Sequence, residues 1–145
     1  MMVITMEIKN KKAYFDYFIV EELEAGIVLT GTEIKSVRGS HVQLKDSFIK
    51  IKNDEAYVLN MNISKYKEAN QFNHEEDRTR KLLLHKKEIK KLKEKTQIEG
   101  MSIVPLKIYI KDDHAKLLIG LVKGKKLYDK RETIKKRDLE REARY

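Results

Sequence analysis

The last 23 residues, Lys123 to Tyr145, hold ten Lys or Arg against five Asp or Glu, a net +5 of the chain's +9. That concentration of charge decides where a core can form. Strong helix formers follow Gly124, yet Leu127, Ile134, Leu139 and Ala143 are too sparse and irregular to make an apolar stripe. A helix of this length with little apolar surface to dock is marginal in water. Residues 124–145 are therefore expected to be a basic tail, disordered when free and ordered only against a polyanion. The core must come from residues 1–123, enough chain for one core and too little for two. Within the tail, Gly124-Lys125-Lys126 precedes Tyr128 and then Asp129-Lys130-Arg131. Charge beside an aromatic plane suits phosphates and an unstacked base; a plain solvated basic run is the simpler reading.

The sequence pI near 9.5 favours an acidic partner. Nucleic acid stands ahead of membrane, since no segment is a basic amphipathic helix with aromatic anchors. The 145 residues include no cysteine, which removes disulfides and thiolate zinc sites and suits the cytoplasm. No apolar run approaches the roughly 18 residues of a membrane span. Met1 to Asn10 alternates polar with apolar residues where a signal peptide would be continuously apolar, so no leader is expected.

Along the chain, Ile4–Ile8 reads as an edge strand and Tyr14–Val20 as a second strand, rich in aromatic and β-branched residues. Glu21-Glu22-Leu23-Glu24-Ala25-Gly26 reads as a break, with Ile27–Leu29 starting again. Its glutamates are either a solvated turn or, through Glu24, an acceptor for a base edge or ribose hydroxyl. Thr30–Gly39 predicts a short helix capped by Thr32, with Gly39 in the left-handed position after it and Ile34 and Val37 facing the core. Ser47–Lys52 and Ala56–Met61 flank Asn53-Asp54-Glu55 as a hairpin, and Ile63–Phe72 is a strand or extended loop. Leu82, His85, Ile89 and Leu92 fall at helical spacing and predict a helix from about Asp77 to Lys95, in which one of Leu82, Leu83 and Leu84 exceeds a single buried stripe. Ser102–Ile110 and Ala115–Val122 form the last hairpin, with Pro105 at an edge or bulge. Leu117, Ile119 and Leu121 lie on one face and Leu118 and Val122 on the other, so that strand is covered on both sides. These elements predict a mainly β fold with peripheral helices, closed into an antiparallel barrel that removes exposed edges.

No phosphate-binding glycine loop, Ser-His-Asp arrangement or His-Glu-x-x-His occurs, and the four histidines, at 41, 74, 85 and 114, are scattered. Asn73-His74-Glu75-Glu76-Asp77 offers hard ligands for Mg²⁺, but adjacent residues lack the spacing that aims several at one ion. No enzyme, metal or cofactor is expected. Two other classes remain: a structural ribosomal or nucleoid protein with a neutralising tail, and a metal nuclease using Glu75, Glu76 and Asp77.

Asn10-Lys11-Lys12-Ala13, Tyr17, Glu24-Ala25-Gly26, Gly31-Thr32-Glu33-Ile34-Lys35-Ser36-Val37-Arg38, Thr79-Arg80-Lys81-Leu82-Leu83-Leu84, and Gly124-Lys125-Lys126 followed by Asp129-Lys130-Arg131 stand in the order found in the SmpB family, the SsrA-binding proteins of bacterial trans-translation. From about Asn10 to its end the chain resembles this family. The resemblance implies an OB-like closed antiparallel β-barrel with peripheral helices. It also implies a partner, the tRNA-like domain of transfer-messenger RNA (SsrA RNA), bound at its elbow and delivered to stalled ribosomes. There the RNA supplies alanine and a short reading frame that tags the nascent peptide, and peptide transfer belongs to the ribosome. Alanyl-tRNA synthetase and elongation factor Tu are implied as partners through the charged RNA, and the protein as a monomer. The RNA-binding residues so implied are Asn10, Tyr17, Glu24, Arg80, Lys81, Leu83 and His85, the last where the family carries Asn or His. Gly124 would be the hinge to a tail, Lys125, Lys126, Tyr128, Asp129, Lys130 and Arg131, that is helical in the decoding centre and empty mRNA channel. Tyr128 stands where some members have His, and either ring can stack on a base. Beyond Arg137 the match loosens, and the tail is short beside several members.

Overall fold

The dipeptides Asn53-Asp54 and Asp112-Asp113 hold positive φ at both residues, 52° and 58°, then 49° and 64°. Type I′ turns require this, and their twist matches that of paired strands. They make two hairpins, β4 (Phe48–Lys52) with β5 (Glu55–Leu59) and β8 (Ser102–Lys111) with β9 (His114–Gly124). The computed structural model describes residues 3–67 and 73–125. Its other elements are β1 (Ile4–Lys9), α1 (Lys11–Asp16), β2 (Tyr17–Ile27), α2 (Gly31–Arg38), β3 (Val42–Gln43), β6 (Asn62–Ile63), β7 (Arg80–Leu83) and α3 (Lys86–Ile98).

Seven strands form one antiparallel sheet in the order β1-β8-β9-β2-β7-β5-β4, and β3 pairs with β6 apart from it. The sheet curls until β4 packs against β8, but no ladder joins them, so the expected closed, OB-like barrel is not formed. A groove of about 620 Å³ separates Phe48–Ile51 from Met101–Val104 along that seam. The stretch of β8 facing β4 runs into Pro105, which has no N–H to give. The Pro105 carbonyl already accepts from Asn10 Nδ2 at 2.8 Å, and that of Leu106 from the Asn10 N–H at 2.7 Å. The ladder register shifts between Pro105 and Lys107, the bulge that the proline predicts.

Other local expectations also change. Tyr14–Val20 is not one strand, because Asn10 Oδ1 accepts from the Ala13 N–H at 3.3 Å and starts α1. β2 then runs unbroken through Glu21, Glu22 and Glu24. Its alternation turns Glu22 and Glu24 outward while Ala25 and Ile27 are buried, and β9 pairs with it from Tyr17 to Gly26. In α2 the cap is Thr30 rather than Thr32, in a reciprocal box: the Glu33 N–H donates to Thr30 Oγ1 at 3.3 Å and the Thr30 N–H to Glu33 Oε1 at 2.8 Å. Gly39 keeps φ at −81°, and Ser40, at 63°, takes the left-handed position. Val37 enters the core, whereas Ile34 is half-buried.

The largest departure concerns the leucine triplet. The helix expected from Asp77 begins only at Lys86, and Arg80–Leu83 is a strand inserted between β2 and β5. Strand alternation buries Arg80 and Leu82 and exposes Lys81 and Leu83.

The main core lies inside the curled sheet, closed by Val37 of α2 and Leu92 of α3. A smaller cluster of Ala13, Val104, Leu106 and Val122 packs α1 on the other face of β8 and β9, so the last strand is covered on both sides. Gly120 is required there, because a Cβ on it would fall 2.7 Å from Leu106 Cδ1. Among the described residues no helix is long and apolar enough to cross a membrane.

Candidate nucleic-acid interface

Three neighbouring strands and the start of a helix put Glu24 (β2), Lys81 and Leu83 (β7), His85 and Lys116 (β9) around an open groove of about 530 Å³. Leu83 is 57% exposed. It is the cross-strand partner of Gly26, whose missing side chain leaves it room. The surplus leucine of the triplet is therefore a solvent-facing apolar surface, in a groove that carries the carboxylates of Glu24, Asp54, Glu55 and Glu88 and the ammonium groups of Lys81, Lys86 and Lys116.

Glu24 is held from one side. Tyr109 donates its hydroxyl hydrogen to Glu24 Oε2, and Lys111 Nζ lies 3.3 Å from the same oxygen. The Tyr109 hydrogen bond, aided by Lys111 against the opposing effect of partial burial, keeps the Glu24 carboxyl below its usual range. Burial and the neighbouring carboxylate push the Tyr109 hydroxyl up, so it stays a donor. Glu24 is an oriented anion with lone pairs left to accept from a ribose hydroxyl or a base amine. Lys81 Nζ sits 3.0 Å from Glu55 Oε1, and Glu55 also accepts from the Tyr57 hydroxyl at 2.6 Å. His85 precedes α3, where its N–H donates to Glu88 Oε1 at 2.9 Å, rather than lying on an apolar helix face.

The remaining expected site residues lie elsewhere. Arg80 is fully buried. Its Nε donates to Glu33 Oε2, its Nη1 to the Met61 carbonyl at 2.6 Å, and its Nη2 to the Glu76 carbonyl at 3.1 Å. Glu33 is likewise fully buried and also accepts from Arg78 Nη2 at 2.6 Å. Burial alone would raise its carboxyl, but Arg78, the Thr30 N–H and Arg80 outweigh this and hold it at about 2. Beside this network His74 is buried, with Nε2 2.8 Å from the Ile63 carbonyl and Nδ1 2.9 Å from Thr32 Oγ1. A carbonyl can only accept, so Nε2 carries a proton and donates to Ile63. Asn10 is buried by its cap and its bonds to the Leu44 and Pro105 carbonyls. Tyr17 begins β2 opposite Gly124, the last residue of β9, and Lys125 Nζ reaches the Tyr14 carbonyl at 3.3 Å. Lys126, Tyr128, Asp129, Lys130 and Arg131 lie outside the described residues.

The sequence reading missed Tyr109, Lys111 and Lys116. Their role depends on β9 lying between β8 and β2, which no local pattern announces. Among the described residues no three His, Asp or Glu side chains converge as a metal-ligand set; Glu76 and Asp77 instead accept from Asn62 Nδ2, at 3.5 and 3.1 Å.

The family model described as SmpB protein matches residues 7–145. The SsrA-binding protein of Ligilactobacillus salivarius is 61% identical over 136 residues, covering 94% of this chain and 88% of that one. That of Shouchella clausii is 62% identical over 135 residues, with 93% and 86% covered. A solved structure described as "tmRNA-SmpB: a journey to the center of the bacterial ribosome" superposes with a TM-score of 0.70 at 42% identity, over 82% of this chain and 84% of that chain. By its sequence, its fold and these matches, the chain belongs to the SmpB family of SsrA-binding proteins.

Proposed function

We propose that this chain is the RNA-binding adaptor of trans-translation, which binds transfer-messenger RNA and acts with it on the ribosome. It is not an enzyme: its work is recognition and delivery. The observation that carries this reading is the exposed Leu83 set between Glu24 and Lys81 on one groove. An apolar contact flanked by an oriented acceptor and cations fits an RNA sugar or base edge beside its phosphates.

In finer detail, residues 1–123 are the RNA-binding body, and the groove takes the tRNA-like domain through Glu24, Lys81, Leu83 and His85. Asn10 and Arg80 act as positioning residues, since their polar atoms serve the protein interior. Tyr17 supports the junction with residues 124–145. That tail, through Lys126, Tyr128, Asp129, Lys130 and Arg131, enters the decoding centre and empty mRNA channel, so that the nascent peptide is tagged and the ribosome released. The adaptor acts in the cytoplasm as a monomer, and meets alanyl-tRNA synthetase and elongation factor Tu through the charged RNA.

The test compares the full chain with one ending at Lys125, which leaves β9 intact. Affinity for the tRNA-like domain and peptide tagging on stalled ribosomes are measured separately. Retained affinity with lost tagging is expected. Affinity that collapses with the tail would overturn the body as the recognition module.

A further inference from the structure

α3 carries six lysines against two glutamates between Lys86 and Ile98. Ile89 and Leu92 are buried and seat the helix on the sheet. Lys86, Lys90 and Lys93 fall at i, i+4 and i+7, which places them on one helix face. With Gln97 and the β4–β5 turn residue Asp54 they line a second groove of about 600 Å³. This groove shares Asp54, Lys86 and Ile89 with the one holding Glu24 and Leu83, so the two adjoin, from β2 across β7 to the middle of α3.

Charge use along the helix is uneven. Lys91 is paired with Glu21 at 2.6 Å and Lys95 with Glu99 at 3.0 Å. Lys93 lies 3.3 Å from Asp54 Oδ1. Lys86 and Lys90 enter none of the ion pairs found among the described residues. Glu94 also lines the groove and opposes part of its charge. Four residues of helix rise about 6 Å, of the order of the separation of successive phosphates along a nucleic-acid strand.

We propose that Lys86, Lys90 and Lys93 form a phosphate track that continues the Glu24–Leu83 groove, so that one RNA strand is read at β7 and held by its backbone along α3, with Asp54 restraining the third lysine. The proposal rests on the RNA-binding reading above and adds the path of the strand. Gln97, one turn beyond Lys93, is placed to hydrogen-bond a ribose hydroxyl. Asp54 is a built-in competitor: its carboxylate occupies Lys93 until a phosphate displaces it.

The test measures affinity of the full chain for the tRNA-like domain across a salt series, with Lys86→Gln/Lys90→Gln, Asp54→Asn and Leu83→Ala. Loss of two phosphate contacts flattens the log–log salt slope by about 1.4 to 1.8 and lowers affinity roughly tenfold to thirtyfold at 0.15 M salt. Asp54→Asn suits the left-handed turn position and frees Lys93, so it should tighten binding and steepen the slope by up to about 0.9. A gain of affinity cannot come from unfolding. Unchanged slopes in both lysine and Asp54 variants, with Leu83→Ala still weakened, would overturn the track and leave the groove standing. A wild-type chain that does not bind this RNA would overturn both.

Discussion

Gly26 and Leu83 face each other across β2 and β7, and a Cβ on Gly26 would lie 3.2 Å from the Leu83 Cβ and 3.3 Å from its Cδ1. Leu83 is exposed, so it can yield outward; the pair therefore tunes the surface more than the core. Gly26→Ala should cost folding less than about 1 kcal/mol, since part of the crowding is offset by the entropy the glycine no longer loses. By displacing Leu83 it should weaken binding of the tRNA-like domain several-fold. Urea denaturation and filter binding on the same sample separate the two effects, and a variant with wild-type affinity would remove Leu83 from the contact.

Glu24 and Tyr109 should behave as a unit. Glu24→Ala removes a charge-assisted acceptor worth roughly 1.5 kcal/mol, about tenfold in affinity, with the circular-dichroism spectrum unchanged. Tyr109→Phe takes away the hydrogen bond that contributes most to holding the carboxyl low, so the Glu24 titration midpoint, followed by carboxyl NMR, should move up. Affinity at neutral pH should fall less than in Glu24→Ala. A Glu24 midpoint that does not move would show that Lys111 alone sets it.

The buried Glu33 with Arg78 and Arg80 predicts an acid limb of stability. With the folded carboxyl at about 2 against an ordinary 4.5, the stabilisation is complete above pH 4.5 and is lost as pH falls toward 2. The linked free energy is about 3 kcal/mol. Urea midpoints between pH 7 and 2.5 should fall accordingly for the wild type. Glu33→Gln, which leaves Arg80 buried without its counter-charge, should cost about 3 to 5 kcal/mol at neutral pH. Its stability should then show a shallower decline with acid, and an equally steep one would place the acid-sensitive group elsewhere.

Turn chemistry was the most legible part of the chain. Asn53-Asp54 and Asp112-Asp113 state their conformation locally, and both hairpins form where those residues stand. The triplet Leu82-Leu83-Leu84 was misread because the same residues satisfy helical spacing with His85, Ile89 and Leu92. The choice fell to tertiary pairing: a gap between β2 and β5 accepts a strand there. Barrel closure failed as an inference for a related reason, since Asn10, far away in sequence, takes the Pro105 carbonyl. Glu24 and Leu83 could be singled out as candidates, one as an unexpected carboxylate and the other as a leucine too many. Tyr109, which orients Glu24, looks like an ordinary strand residue, and Arg80 is read as an RNA contact because burial of a paired charge leaves no mark in a local pattern.

The ladder between β2 and β9 ties Tyr17 to Gly124, and that between β1 and β8 ties Ile4 to Lys111. Both close loops that span most of the chain, and such high contact order makes folding slow. During synthesis β2 emerges early and must wait, since β7 pairs with it only at Gly26 and Ile27. A copy terminated before β9 lacks the longest partner of β2 and cannot complete the seven-stranded sheet. Completion of this sheet is thus deferred to the final part of translation, when β9 has been made.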